Sequence, residues 1–182
     1  MTEISDCLYP PKVKVVLWSR EKIEEIYPNL RGDTEGLRRL YVQGAEVFEN
    51  AVIASARIDT SLPEVRGRNR PHVNIFIYME AVNQACNLWA AQNHQGFLPL
   101  RLGSHTRPIV EVIEFPRPDF YDLRLDLNLT YGLRDTTVPI RGEDGQLHNQ
   151  KAKLGKATSE VFWGDILVFT SADNFVLVEK PS

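Results

Sequence analysis

The apolar pattern of the chain is densest at 71–93, PHVNIFIYMEAVNQACNLWAAQN, where no Gly or Pro follows Pro71. The stretch is long enough for roughly six turns of helix, and a helix apolar almost all round belongs in an interior. Four polar residues interrupt it: Glu80, Asn83, Gln84 and Asn87. At 100° per residue they fall within an arc of roughly 100° and form one stripe. Buried amides and carboxylates cost free energy unless they are paired, so the stripe needs partners, either from the protein itself or from a ligand.

Elsewhere the pattern has the period of strands. Asp122 to Leu129 (DLRLDLNL) alternates polar and apolar without a break, as a half-buried strand does. Val13 to Trp18 reads as a strand. Ser19 then caps a short helix that runs to about Ile26 and stops before Pro28. Leu37 to Ile58 reads as two strands broken near Gly44, and Arg107 to Phe115 as another strand. Arg141 to Gly145 is turn composition ending in Asp-Gly. Lys151 to Trp163, Ile166 to Thr170 and Phe175 to Glu179 complete a meander, with a turn expected at Ser171-Ala-Asp-Asn. Consecutive strands joined by turns make an antiparallel sheet, and only the long helix is apolar enough to cover one of its faces. The expected class is α+β: a curved antiparallel sheet wrapped around one long central helix, the hotdog architecture. One domain is expected over 1–182, with 1–11 as an N-terminal arm ended by Pro10-Pro11.

Composition narrows the partners. Of 182 residues, 43% are hydrophobic and 25% charged, which is ordinary for a globular domain. A net charge of −3 without a basic run gives no reason to expect nucleic acid. The longest uncharged apolar run, Val73 to Met79, is far short of a membrane span, and MTEISDCLYPPK has no secretion-signal core. Two cysteines, Cys7 and Cys86, fit a reducing cytoplasm, and no Cys/His spacing suggests a metal.

The central helix resembles two groups of hotdog enzymes. Asn74 to Gln84 carries Glu80-Ala81-Val82-Asn83-Gln84, similar to the Glu-Ala-x-x-Gln run of β-hydroxyacyl thioester dehydratases, with Glu80 at their catalytic carboxylate. Their histidine position is held here by Arg66, and their Gly-His-Phe-Pro-Gly signature is absent. The second resemblance is closer. His72-Val73-Asn74 followed by Asn83-Gln84 is similar to the helix of the long-chain fatty acyl-CoA thioesterase family known from mycobacteria. That likeness implies Asn74 and Asn83 in a catalytic pocket, Tyr27 as a pocket tyrosine, acyl-CoA or acyl carrier protein as partner, and no cofactor.

From the residues themselves, the first N–H groups of a helix starting at His72 to Asn74 lack internal partners and face the positive end of its dipole, which suits a developing oxyanion. Asn83 could orient water or thioester through its amide. Glu80, in an apolar tunnel, would be a desolvated base for water or an amine. Arg66 and Arg68 could fork onto the phosphates of coenzyme A or phosphopantetheine. Each has a plain structural alternative: Asn74 as an N-cap, Glu80 paired to loop arginines, and Gln84 and Asn83 bonded to backbone at an interface. His94, His105 and His148 read as solvated loop or turn residues. The expected assembly is a homodimer or larger, since a lone hotdog leaves sheet edges unpaired. Hydrolysis of an acyl thioester, addition or elimination on an enoyl thioester, and a non-catalytic module that binds acyl chain or carrier protein all remain open.

Overall fold

The computed structural model describes residues 16–26, 40–62, 75–95, 97–108, 120–129, 134–141 and 145–179. Among them are β1 (Val16–Trp18), α1 (Arg20–Ile26), β2 (Val42–Val47), β3 (Ala51–Asp59), α2 (Ile75–Asn93), β4 (Phe97–Pro108), β5 (Phe120–Leu129), β6 (Arg134–Arg141), β7 (Leu147–Trp163) and β8 (Ile166–Glu179). The strands form one sheet in the order β1-β2-β3-β5-β7-β8-β4, with β6 pairing β7 beside β5's place. Every described pairing is antiparallel.

The strand expected at 122–129 is present, and its alternation is the observed one: Leu123, Leu125, Leu127 and Leu129 are buried between outward-facing neighbours. Three expectations need correction. Gly44 does not break a hairpin; it lies inside β2 at a register shift against β3, and the turn falls at 48–50, closed by Phe48 N–H donating to Ala51 O at 2.9 Å. Ser171 to Asn174 is not a turn. Its backbone pairs with Ser159 to Lys156 on β7 and carries β8 through without interruption, because two flanking strands supply ladder partners that outweigh local turn preference. β6 was not expected as a strand. The β7–β8 hairpin turns at Gly164-Asp165, where Gly164 takes φ 57°, a left-handed conformation easy only for glycine.

The 19-residue α2 packs on this sheet, and its contacts reach several strands. Tyr78 stacks on Phe169 of β8 at 5.4 Å between ring centroids, and Trp89 meets Phe175 of β8 edge-on at 5.7 Å. Those eleven helical steps advance about 16 Å, close to the six-residue advance of about 20 Å along β8, so helix and strand run side by side. A helix is only about 10–12 Å across. Yet Gln84 bonds the backbone at the start of β2, which is four strand spacings from β8, about 19 Å on a flat sheet. α2 therefore reaches across the sheet from β2 to β8. A mostly antiparallel sheet carrying a helix in this way is compatible with a hotdog architecture.

The buried face includes one polar cross-strand pair. Ser159 and Ser171 sit opposite each other on β7 and β8, with hydroxyl oxygens 2.6 Å apart and both residues nearly inaccessible. Ser159→Ala is expected to lower stability by about 1–3 kcal/mol, because a buried hydroxyl loses this partner. The double variant with Ser171→Ala should cost less than the sum of the two single ones, as urea titration would measure.

Candidate functional site

Residues 40–42 approach the sheet before β1 can pair with them. β1 ends its ladder at Trp18 opposite Ala45, so the backbone groups of 40–42 on that side need other partners. Arg20, in the first turn of α1, donates through Nη1 to Leu40 O at 2.6 Å and Val42 O at 3.2 Å, while its Nε donates to Glu24. Gln84 of α2 answers the opposite groups. Its Oε1 accepts Tyr41 N–H at 2.9 Å and Val42 N–H at 3.2 Å. Tyr41, Val42 and Gln84 are 4%, 0% and 1% exposed, so these bonds lie out of reach of solvent.

That arrangement fixes which way the Gln84 amide points. Two N–H donors demand the oxygen, so the nitrogen must face away from β2, and Nε2 donates to Glu80 Oε1 at 3.2 Å, one turn earlier. Glu80 itself is exposed within the protomer, and Asn83 and Asn87 are half-buried. The stripe read from the sequence is therefore graded: Gln84 is the inward residue, locked to backbone, and Glu80 the outward one. The expectation of a desolvated Glu80 is not met, since the residue is exposed. The reason is axial: Glu80 lies one turn nearer the helix start than Gln84, whose amide is level with the start of β2. Tyr27, Arg66, Arg68, His72 and Asn74 lie outside the described residues, so of the eight candidates Glu80, Asn83 and Gln84 are the ones brought together.

Further along α2, Trp89 donates through Nε1 to Glu49 O at 2.8 Å and Asn93 donates to Phe48 O at 3.0 Å, tying the helix end to the β2–β3 turn. On the side of α2 facing β8, burial pushes the Tyr78 phenol well above its ordinary range, with Tyr121 adding to the shift, so it remains a neutral donor at any working pH. No sequence pattern announced the roles of Arg20 and Trp89, because their partners are backbone carbonyls distant in the chain.

The histidines depart from expectation in part: His94 follows the end of α2 and His148 is exposed, as expected. His105 and His148 lie within β4 and β7, and His94 packs against Trp89 at 4.7 Å between ring centroids. Burial, with help from the nearby Lys153 charge, holds the His94 pKa below 6.5. The unfolded chain therefore takes up this proton first as pH falls, and stability drops from about pH 6.5 down through the lowered native value. The urea midpoint should fall between pH 7 and pH 5, and His94→Gln should flatten that fall.

Among the described residues no cluster of His, Cys, Asp or Glu is placed to hold a metal, and no described helix is long and apolar enough to cross a membrane. No protein-family model matches the chain, and no curated protein matches it. Solved structures do. Cj0977 of Campylobacter jejuni, described as a sigma28-regulated virulence protein, is 13% identical, with 90% of this chain and 94% of that chain covered and a TM-score of 0.52. The likeness is one of fold. A thioesterase family protein of Silicibacter pomeroyi is 10% identical over 86% of this chain and 98% of that one, with a TM-score of 0.49. A hypothetical thioesterase of Streptococcus pneumoniae, solved with coenzyme A, is 9% identical over 75% of this chain and 84% of that one, also at 0.49.

Proposed function

We propose that this chain is an acyl-thioester hydrolase working at the outward edge of the α2 stripe. The observation that carries the reading is a carboxylate, Glu80, that accepts a hydrogen bond from Gln84, three residues before a half-buried amide, Asn83, on the helix that packs against the sheet. Glu80 takes a proton from water while Asn83 orients that water, and the oxygen attacks the thioester carbonyl. The carbonyl lies toward the start of the helix, where His72, Asn74 and the first N–H groups of the helix receive the negative charge that develops on oxygen. Collapse breaks the C–S bond; the thiolate takes up a proton, and a carboxylic acid and a free thiol leave. Arg66 and Arg68 bind the phosphates of coenzyme A or of a carrier-protein arm, and Tyr27 lines the pocket.

A second copy of the chain belongs to this reading. β4 stands at one end of the described strand order, and its 12 residues offer an edge to another strand. A homodimer joined there would cover the open side of α2 and shut Glu80 and Asn83 away from bulk water. The same base and oxyanion site would serve addition of water or an amine to an enoyl thioester, so the test must separate the two reactions. Purified protein is incubated with crotonyl-, octanoyl- and palmitoyl-CoA, with free thiol measured and products weighed by mass spectrometry. Thiol release from the saturated substrates supports hydrolysis. A mass gain of one water on crotonyl-CoA without thiol release supports addition, and no change with any of the three removes both.

A further inference from the structure

We propose that Gln84 is a positioning residue for Glu80, a role that rests on the hydrolase reading and assigns Gln84 no contact with the acyl group. A glutamine oxygen has two lone pairs, and those of Gln84 are taken by Tyr41 N–H and Val42 N–H. The amide cannot flip without setting two donors of its own against two buried donors. Its NH2 is therefore a fixed donor, and it meets Glu80 Oε1 at 3.2 Å. An exposed glutamate on an open helix face samples several rotamers. This one has one carboxylate oxygen pinned by a group that is itself pinned to the sheet, which leaves Oε2 as the oxygen that can receive a proton from the attacking water.

The arrangement reaches further than the pair. The backbone that Gln84 grips is the same backbone whose carbonyls Arg20 holds from the other side. The position of Glu80 is thus referred, through one amide, to the junction of β1, β2 and α1. A catalytic group gains from such a support because rate depends on sub-ångström placement.

The two jobs of Gln84 can be separated by substitution. Gln84→Leu removes both and leaves two buried N–H donors without this acceptor, so it tests folding more than catalysis. Gln84→Glu keeps an oxygen for the two N–H groups, abolishes the donor toward Glu80 and sets a second carboxylate against it. The exchange Glu80→Gln with Gln84→Glu keeps a carboxylate–amide pair between the positions but moves the charge off the reacting site. Rates are read with octanoyl-CoA, and folding by far-UV circular dichroism and thermal melting. The expected result for Gln84→Glu is a fall in kcat of at least about tenfold with KM unchanged. That fall should vanish when Glu80→Gln is already present, and the exchange should melt near the wild-type temperature while staying inactive. Gln84→Glu that folds and retains wild-type kcat, while Glu80→Gln alone is inactive, overturns the positioning role and leaves the hydrolase reading standing. Full activity of Glu80→Gln overturns the hydrolase reading, and the positioning role with it.

Discussion

Trp89→Ala lowers the unfolding free energy by roughly 3–5 kcal/mol, the range for truncating a large aromatic core residue. Trp89 is 3% exposed, so almost all of its surface is lost from contact when it is shortened. Its position makes the upper part of that range the expected one. The indole touches Phe175 on β8 and His94 beyond the helix end, and its N–H donates to Glu49 O in the β2–β3 turn. One side chain therefore fastens the helix to parts of the sheet that lie several strands apart in the ladder. Removing it leaves a cavity and also an unanswered carbonyl. Trp89→Phe separates the two: it keeps much of the packing and loses the hydrogen bond, for an expected cost of about 1–3 kcal/mol. Denaturant titration of the three proteins measures both figures. If Trp89→Phe costs as much as Trp89→Ala, the bond to Glu49 rather than the packing sets the contribution of this residue.

Glu80→Gln is expected to lower kcat for octanoyl-CoA hydrolysis by roughly 10²–10⁴, the usual contribution of a positioned general base. The substitution is nearly isosteric, and Glu80 is exposed in the protomer, so the fold should be unaffected. Only the ability to accept a proton from water is lost. Asn83→Ala should have a smaller effect, about tenfold, because it removes one orienting hydrogen bond and leaves the base in place. The order of the two effects matters more than their sizes. A larger loss from Asn83 than from Glu80 would mean that the amide, not the carboxylate, supplies the main stabilisation, as the resemblance to the acyl-CoA thioesterase helix implies.

The sequence made the outline of this molecule readable where the period was long and regular. Alternation over 122–129 and the uninterrupted apolar run of α2 each specify an element through many residues that agree with one another. The stripe on α2 was also legible, because helical geometry places Glu80, Asn83, Gln84 and Asn87 on one side whatever surrounds them. Which of them would turn inward was not. That depends on β2 lying beside Gln84, and the demand for an acceptor comes from two N–H groups about forty residues away. β6 was hidden for a similar reason. Asp135-Thr-Thr-Val-Pro139 has no clean alternation, and it is a strand because the long β7 offers it an edge. At 171–174 the local composition argues for a turn, and pairing on both sides overrides it. His94 is the loop residue that it read as, but it is half-buried rather than solvated, because Trp89 five positions earlier packs against it.

The central claim is that the outward edge of α2 handles an acyl thioester carbonyl, and the most direct measurement is a structure with a substrate mimic in place. A ketone analogue of octanoyl-CoA, with a methylene between carbonyl and sulfur, presents the carbonyl without a bond that water can cleave. The account predicts its carbonyl carbon beside Glu80 and Asn83, with room for one water about 3–3.5 Å away and the oxygen toward the start of α2. An analogue bound with its carbonyl remote from Glu80 and Asn83, or no binding at millimolar concentration, would contradict it.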